Sequence, residues 1–157
     1  MEYLNRTTMG VSSNDLEEAI SLGQYELAVE MLQFKEARIA LNSHEIQDNL
    51  MKMLENGEVG IYAIEMLNRI PVKNWHFDNT KELCLNLNTF ARKKREIIVS
   101  HAPILFCVLV AEFLYKISEA SLQHHNRCKA TADNFIELGD SIEDSIKEEE
   151  ELRYFLT

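Results

Sequence analysis

Along the first seventy residues, apolar positions return at three- and four-residue intervals. Leu16, Ala19 and Ile20 make one such set, and Leu27, Ala28, Met31 and Leu32 make another; this spacing lines one face of an α-helix. Asn14 followed three residues later by Glu17 reads as a capping-box start, and Gly23 stands where a left-handed turn would separate a pair of short helices. A third helix is expected after Asn42-Ser43, running to Asn56 with Gly57 as its stop, and a fourth over about 59–69. The segment Ile70-Pro71-Val72-Lys73-Asn74-Trp75 interrupts the pattern, because proline disfavours helix in the residue before it. Leu83, Leu87, Phe90 and Ile97 or Ile98 then predict one helix over 80–100. Beyond Pro103, residues 104–121 are strongly apolar and read as an interior helix.

The last third of the chain changes character. Cys128, Ala132, Phe135, Ile142 and Ile146 keep a single apolar stripe over a long helical stretch, with charged residues elsewhere around it. Such a stripe suits a helix laid against a partner, or one packed back onto its own domain. Gly139 interrupts it, and Asp140 with Glu143 offers a cap for a fresh helix. A kinked helix and two separate helices are both open.

Two stretches resemble each other. The first, Asp15-Leu16-Glu17-Glu18-Ala19-Ile20-Ser21-Leu22-Gly23, leads into Ala28-Val29-Glu30-Met31-Leu32; the second, Asn49-Leu50-Met51-Lys52-Met53-Leu54-Glu55-Asn56-Gly57, leads into Ala63-Ile64-Glu65-Met66-Leu67. Leu16 to Leu50 and Gly23 to Gly57 are each 34 residues apart, and Ala28 to Ala63 is 35. Helix–turn–helix at that period is the mark of stacked helical repeats, whose units bury their apolar faces only against neighbours. The fold class expected is therefore all-α: stacked helical hairpins of ankyrin-like or α-solenoid type, capped by long C-terminal helices. The organisation expected is a flexible N-terminus over 1–12, two hairpins over 13–70, a linker over 71–79 and a linker-helix region over 80–157.

The first copy is similar to an ankyrin repeat in the placement of Leu16, Ala19, Gly23, Glu26, Leu27-Ala28 and Met31-Leu32. The Thr-Pro-Leu-His opening of that family is missing from both copies, so these are degenerate units. Degenerate ankyrin hairpins followed by long helices resemble the cytosolic N-terminal region of transient receptor potential channels. The closing segment adds Glu112-Phe113-Leu114-Tyr115, then Cys128, Ala132 and Phe135, then Glu150-Glu151-Leu152 and Leu156, similar to the first linker helices of that family. The resemblance implies a non-enzymatic domain for protein interaction and subunit assembly, belonging to a tetrameric cation channel whose membrane portion lies elsewhere. It implies a cytoplasmic location, or the cytosolic side of a membrane protein. A free-standing helical adaptor is the competing reading, and an α-helical enzyme built on scattered histidines the third.

Composition narrows the classes further. Apolar residues make up 46% of the 157, enough for a core, while five glycines and two prolines supply little turn chemistry for a many-stranded fold. Sixteen Lys and Arg against 26 Asp and Glu leave a formal charge of −10, which repels phosphate backbones and argues against nucleic-acid binding. Half of that charge falls on residues 121–157, with nine acids against four bases. Cys84, Cys107 and Cys128 are widely spaced, a pattern of unpaired thiols in a reducing compartment. The first six residues lack the apolar core of a secretion signal, so Asn5-Arg6-Thr7, a glycosylation sequon, is read as chance. The ten-residue apolar run over 102–111 reaches about 15 Å as helix, half of a bilayer's hydrocarbon core.

Candidate chemistry is sparse. His124, His125 and Cys128 are the closest approach to a metal cluster; His124 and Cys128 share a helix face, but no further ligand pair completes a tetrahedral site. His44, His76 and His101 are isolated, and neither a glycine-rich phosphate loop nor a nucleophile elbow occurs. No catalytic residue, metal or cofactor is assigned. Arg92-Lys93-Lys94-Arg95 is the one concentrated basic patch, a candidate for anionic lipid or calmodulin. Placed on a helix, four consecutive residues point around the axis, and the acidic run over 148–151 lacks the loop spacing of a calcium site.

Overall fold

The computed structural model describes residues 10–156 and is all-α; among these residues there is no strand. The flexible terminus expected over 1–12 and the sequon lie mostly or wholly outside the described residues, although Val11 is buried in the core. The first hairpin pairs α1 (Ser13–Ser21) with α2 (Tyr25–Met31). Its cap is Ser12, not the expected Asn14. The Ser12 Oγ accepts from the Asp15 amide at 3.3 Å while the Asp15 carboxylate accepts from the Ser12 amide at 2.8 Å. The buried Val11 just before it fixes where the chain enters. Gly23 has φ +72° and makes the expected left-handed turn, a conformation that costs a residue with a Cβ.

A short helix α3 (Lys35–Arg38) and a 3-10 turn (Ile39–Asn42) follow, where the periodicity gave no element. They pack on α1 and bury Ala37, Ala40 and Leu41, and Arg38 Nη1 donates to the Leu32 carbonyl at 2.6 Å. The second hairpin is α4 (His44–Met53) and α5 (Gly60–Leu67). Ser43 caps α4, its Oγ accepting from the Ile46 amide. Both similar stretches are thus helix–turn–helix, and α2 packs on α5, with the Tyr62 hydroxyl donating to the Glu26 carboxylate across the two hairpins.

The proline-broken segment forms two 3-10 turns, Val72–Asn74 and Phe77–Asn79, tied down by one buried glutamine. Gln47 Nε2 donates to the carbonyls of Leu41 and Asn74, and its Oε1 accepts from the His76 amide. A buried amide with all these bonds made is a stable clip; one left unmet would cost about 1–3 kcal/mol. Trp75 closes the space between this segment and the later helices, edge-on to Phe113 at 5.2 Å with its Nε1 donating to Thr80 Oγ1 at 3.0 Å.

The helix expected over 80–100 is two helices, α6 (Thr80–Ala91) and α7 (Lys94–Ile98). The chain leaves helical geometry at Lys93 (ψ 55°), so α7 takes a new direction that brings Lys94 Nζ to 2.6 Å from Ser141 Oγ. Helix α8 (Pro103–Ala120) starts with proline at a position that needs no amide donor. Ala102 before it sits at φ 51°, the left-handed region. After a 3-10 turn (Leu122–His124), α9 runs unbroken over His125–Leu156. The open choice at Gly139 is settled: there is no fresh cap at Asp140. Gly139 is buried, and a Cβ there would stand 3.2 Å from the Cys107 Cβ, so the missing side chain lets α8 and α9 approach closely. These two helices form the most extensive pair among the described residues, with α6 also packed on α9 and α5 on α8. Among the described residues, no helix is long and apolar enough to cross a membrane.

Candidate docking surface and thiol pair

The stripe of α9 faces inward. Cys128, Ala132, Phe135 and Ile142 are wholly buried, and Ile146 is partly buried against the same core. Phe135 meets the Phe106 ring at 6.3 Å, and Phe106 in turn meets Phe90 at 5.9 Å, joining α9, α8 and α6. This corrects their assignment as interaction residues: α8 and α6 already cover the stripe, and no atom of Cys128, Ala132, Phe135 or Ile142 is open to a partner.

What α9 leaves open is its end. Residues 147–156 are exposed at every position, a helical arm of ten residues or about 15 Å. The inward stripe continues into it as Glu149, Glu150 and Arg153, residues that do not bury. The apolar side chains of the arm stand elsewhere: Leu152, Phe155 and Leu156, 60%, 84% and 79% exposed, lie together at i, i+3 and i+4. Steps of four and three residues back from Leu152 pass through Glu148, Ser145, Ser141, Leu138 and Asn134, so one flank of α9 carries them all. On the body, that flank borders a groove of about 510 Å³ between α6 and α9, lined by Asn88, Ala91, Arg92, Asn134, Leu138 and Ser141 among others.

The basic residues stand at the end of this groove. Arg92, Lys93 and Arg95 are exposed and Lys94 is half-buried, bonded to Ser141. They straddle the break between α6 and α7 instead of lying on the continuous helix expected: Arg92 and Lys93 form the turn, and Lys94 and Arg95 open α7.

His124, His125 and Cys128 diverge. His124 is buried with its ring parallel to Phe77 at 6.4 Å, His125 Nδ1 pairs with the Ser118 hydroxyl at 2.9 Å, and Cys128 turns to Cys84. Among the described residues no group of three or more His, Cys, Asp or Glu could hold a metal ion. The scattered histidines are separately engaged: His44 with Asp78 at 3.0 Å, His76 with the Asn42 carbonyl at 2.8 Å, and His101 stacked on Tyr62.

The pairing of Cys84 with Cys128 is invisible in sequence, since 44 residues separate them. Their Sγ atoms lie 3.9 Å apart in the core, where α6 faces α9. The hydrogen bond with Cys128 holds the Cys84 thiol below its ordinary pKa, with the Thr131 hydroxyl and the Arg127 charge acting the same way and burial opposing them. Cys128 moves upward, first through that shared bond and then through burial. Cys107, buried with no such partner, is pushed up to about 12 by desolvation.

Comparison with protein-family models, curated proteins and solved structures finds no match to this chain.

Proposed function

We propose that the protein is a non-enzymatic helical assembly domain that pairs with a second copy of itself through the arm of α9. The observation that carries this reading is the arm itself, ten helical residues without intrachain cover that present Leu152, Phe155 and Leu156 on one face. A helix of that length gains little from its own hydrogen bonds in water, and exposed apolar clusters of this kind mark interaction sites. The second copy is favoured as occupant because both halves of the contact lie on one flank of α9. Antiparallel docking about Ser145 sets Leu152 beside Leu138 of the other copy, lays the arm along the α6–α9 groove and brings Glu149 level with Ser141, where Lys94 sits. Acidic residues 148–151 then meet Arg92, Lys93 and Arg95, and the two-fold operation repeats every contact.

Light scattering at tens of micromolar and low salt tests this. The expected mass is twice the 18.2 kDa of one chain, falling to one chain in the double variant Leu152→Ser, Phe155→Ser and decreasing with salt. A wild type that stays monomeric under those conditions overturns the proposal, as does a dimer indifferent to the double substitution.

The narrower reading, in which the hairpins are degenerate ankyrin units from the cytosolic region of a transient receptor potential-type channel, is also a proposal. It is supported by helix–turn–helix in both copies and by the packing of α2 on α5. A coding sequence that continues into six hydrophobic spans would support it, and a natural stop with no membrane-bearing form would count against it.

A further inference from the structure

An open cleft of about 610 Å³ is lined by Phe77, Asp78, Lys81, Gln123, His124 and Arg127. Lys81 precedes Cys84 by three residues on α6. His124 and Arg127 precede Cys128 by four and one on the approach to and first turn of α9. Three of the residues that line the cleft thus come from the same turns of chain as the two cysteines, which are themselves buried beneath the surface. Lys81 and Arg127 give the cleft positive charge, and Asp78, its carboxylate, is turned to His44 at 3.0 Å. Cys84 and Cys128 come from different helices, touch at 3.9 Å and are the only two cysteines in contact among the described residues.

We propose that Cys84 and Cys128 form a two-thiol oxidation site, reached from the Lys81–Arg127 cleft, at which a hydroperoxide is reduced and a disulfide joins α6 to α9. Cys84 is the attacking residue, because Thr131, Arg127 and the Cys128 thiol all stabilise its thiolate. Its sulfur takes the terminal oxygen of the peroxide; the O–O bond breaks, Cys84 becomes a sulfenic acid, and the displaced oxygen leaves as water or alcohol with the thiol's proton. Cys128 sulfur then attacks the sulfenic sulfur; the S–O bond breaks, the S–S bond forms, and the hydroxyl leaves as water with the Cys128 proton. Two thiols supply the two electrons that the peroxide consumes. Closing the bond requires the sulfurs to move from 3.9 Å to about 2.05 Å. Cys107 is the internal control: equally buried, but without a thiol neighbour and held protonated by desolvation.

The test treats the reduced full chain near neutral pH with hydrogen peroxide, quenches with an alkylating agent and maps peptides without reduction. The expected product has lost the mass of one H2 and yields a Cys84–Cys128 cross-linked peptide, with Cys107 recovered as thiol. Arg127→Gln, an exposed position, should slow the reaction by about 3–10-fold. Cys128→Ser should leave a Cys84 sulfenic acid that a 1,3-dione traps, and if that variant does not fold, the cross-link map of the wild type decides alone. The proposal is overturned if Cys84 passes to sulfinic acid without cross-linking, if Cys107 reacts as fast as Cys84, or if no thiol reacts in the folded protein.

Discussion

Helix α9 is one continuous helix in two environments. From His125 to Ile146 it is a core element, with Cys128, Thr131, Ala132, Phe135, Gly139 and Ile142 buried in succession. Over 147–156 not one residue is buried. The backbone is the same; the register of apolar side chains is not. The three-and-four rhythm that points residues 128–146 at α8 and α6 next falls on Glu149, Glu150 and Arg153, and the apolar residues reappear rotated onto the flank as Leu152, Phe155 and Leu156. Intrahelical ion pairs Glu143–Lys147 and Glu149–Arg153 support the arm, but exposed pairs at this spacing are worth only about 0.3–0.5 kcal/mol each. A change of register within one helix separates the stretch that holds the fold from the stretch left to bind.

Substitutions on the inward side should therefore be the costly ones. Phe135→Ala removes a fully buried ring that touches Phe106 and should destabilise the protein by about 3–5 kcal/mol in denaturant unfolding. Gly139→Val should cost about 1–3 kcal/mol in the same measurement, since its branched side chain enters space where even a Cβ lies 3.2 Å from Cys107 Cβ. A loss below about 0.5 kcal/mol at both sites would mean that α9 is not core where it looks like core.

Across the same contact, Cys107 makes stability depend on pH. Its folded pKa is pushed up to about 12 from an ordinary 9.0, so above pH 9 the unfolded chain releases a proton that the folded one keeps. Stability contributed by the neutral buried thiol is complete below pH 9 and is lost as pH rises toward 12, with a slope of at most one proton, about 1.4 kcal/mol per pH unit. Cys107→Ala should flatten the alkaline limb of the urea midpoint against pH, relative to wild type. Parallel curves for the two proteins would show that burial does not hold this thiol protonated.

Periodicity revealed most of this fold and little of its surface use. The hairpins, the turn at Gly23 and the apolar α8 follow from spacing and from turn chemistry, which act over three or four residues. The break at Lys93 does not, because Leu83, Leu87, Phe90 and Ile97 remain in phase across it and the new direction of α7 is set by contact with α9. Gly139 is ambiguous for a related reason. In sequence a glycine is a breaker, while here it is the point where two helices touch, and only the position of Cys107 distinguishes the two. The inward stripe is legible as a stripe, yet nothing in its residues says whether its cover comes from the same chain. The clip that Gln47 makes to Asn74 and His76 and the Cys84–Cys128 pair are beyond reach, since these partners lie 27–29 and 44 residues away and give no local pattern. The arm carries a fainter signal that is available in sequence: charged residues replacing apolar ones on the stripe after Ile146.

The smallest effect on stability should come from the arm, and that smallness is what sharpens the contrast. Leu152→Ser with Phe155→Ser removes two large side chains, as Phe135→Ala removes one, but both are already in water at 60% and 84% exposure. Burial free energy scales with area withdrawn from solvent on folding, and far less is withdrawn here than at Phe135, which is wholly buried. Measured at a concentration low enough to keep the chain monomeric, the double variant should unfold within about 0.5 kcal/mol of wild type. At concentrations where wild type pairs, the curves should separate, because a copy bound only to the folded form raises its apparent stability by mass action. A variant that is destabilised equally at both concentrations would place Leu152 and Phe155 in the fold of the single chain, and the division of α9 at Ile146 would then be wrong.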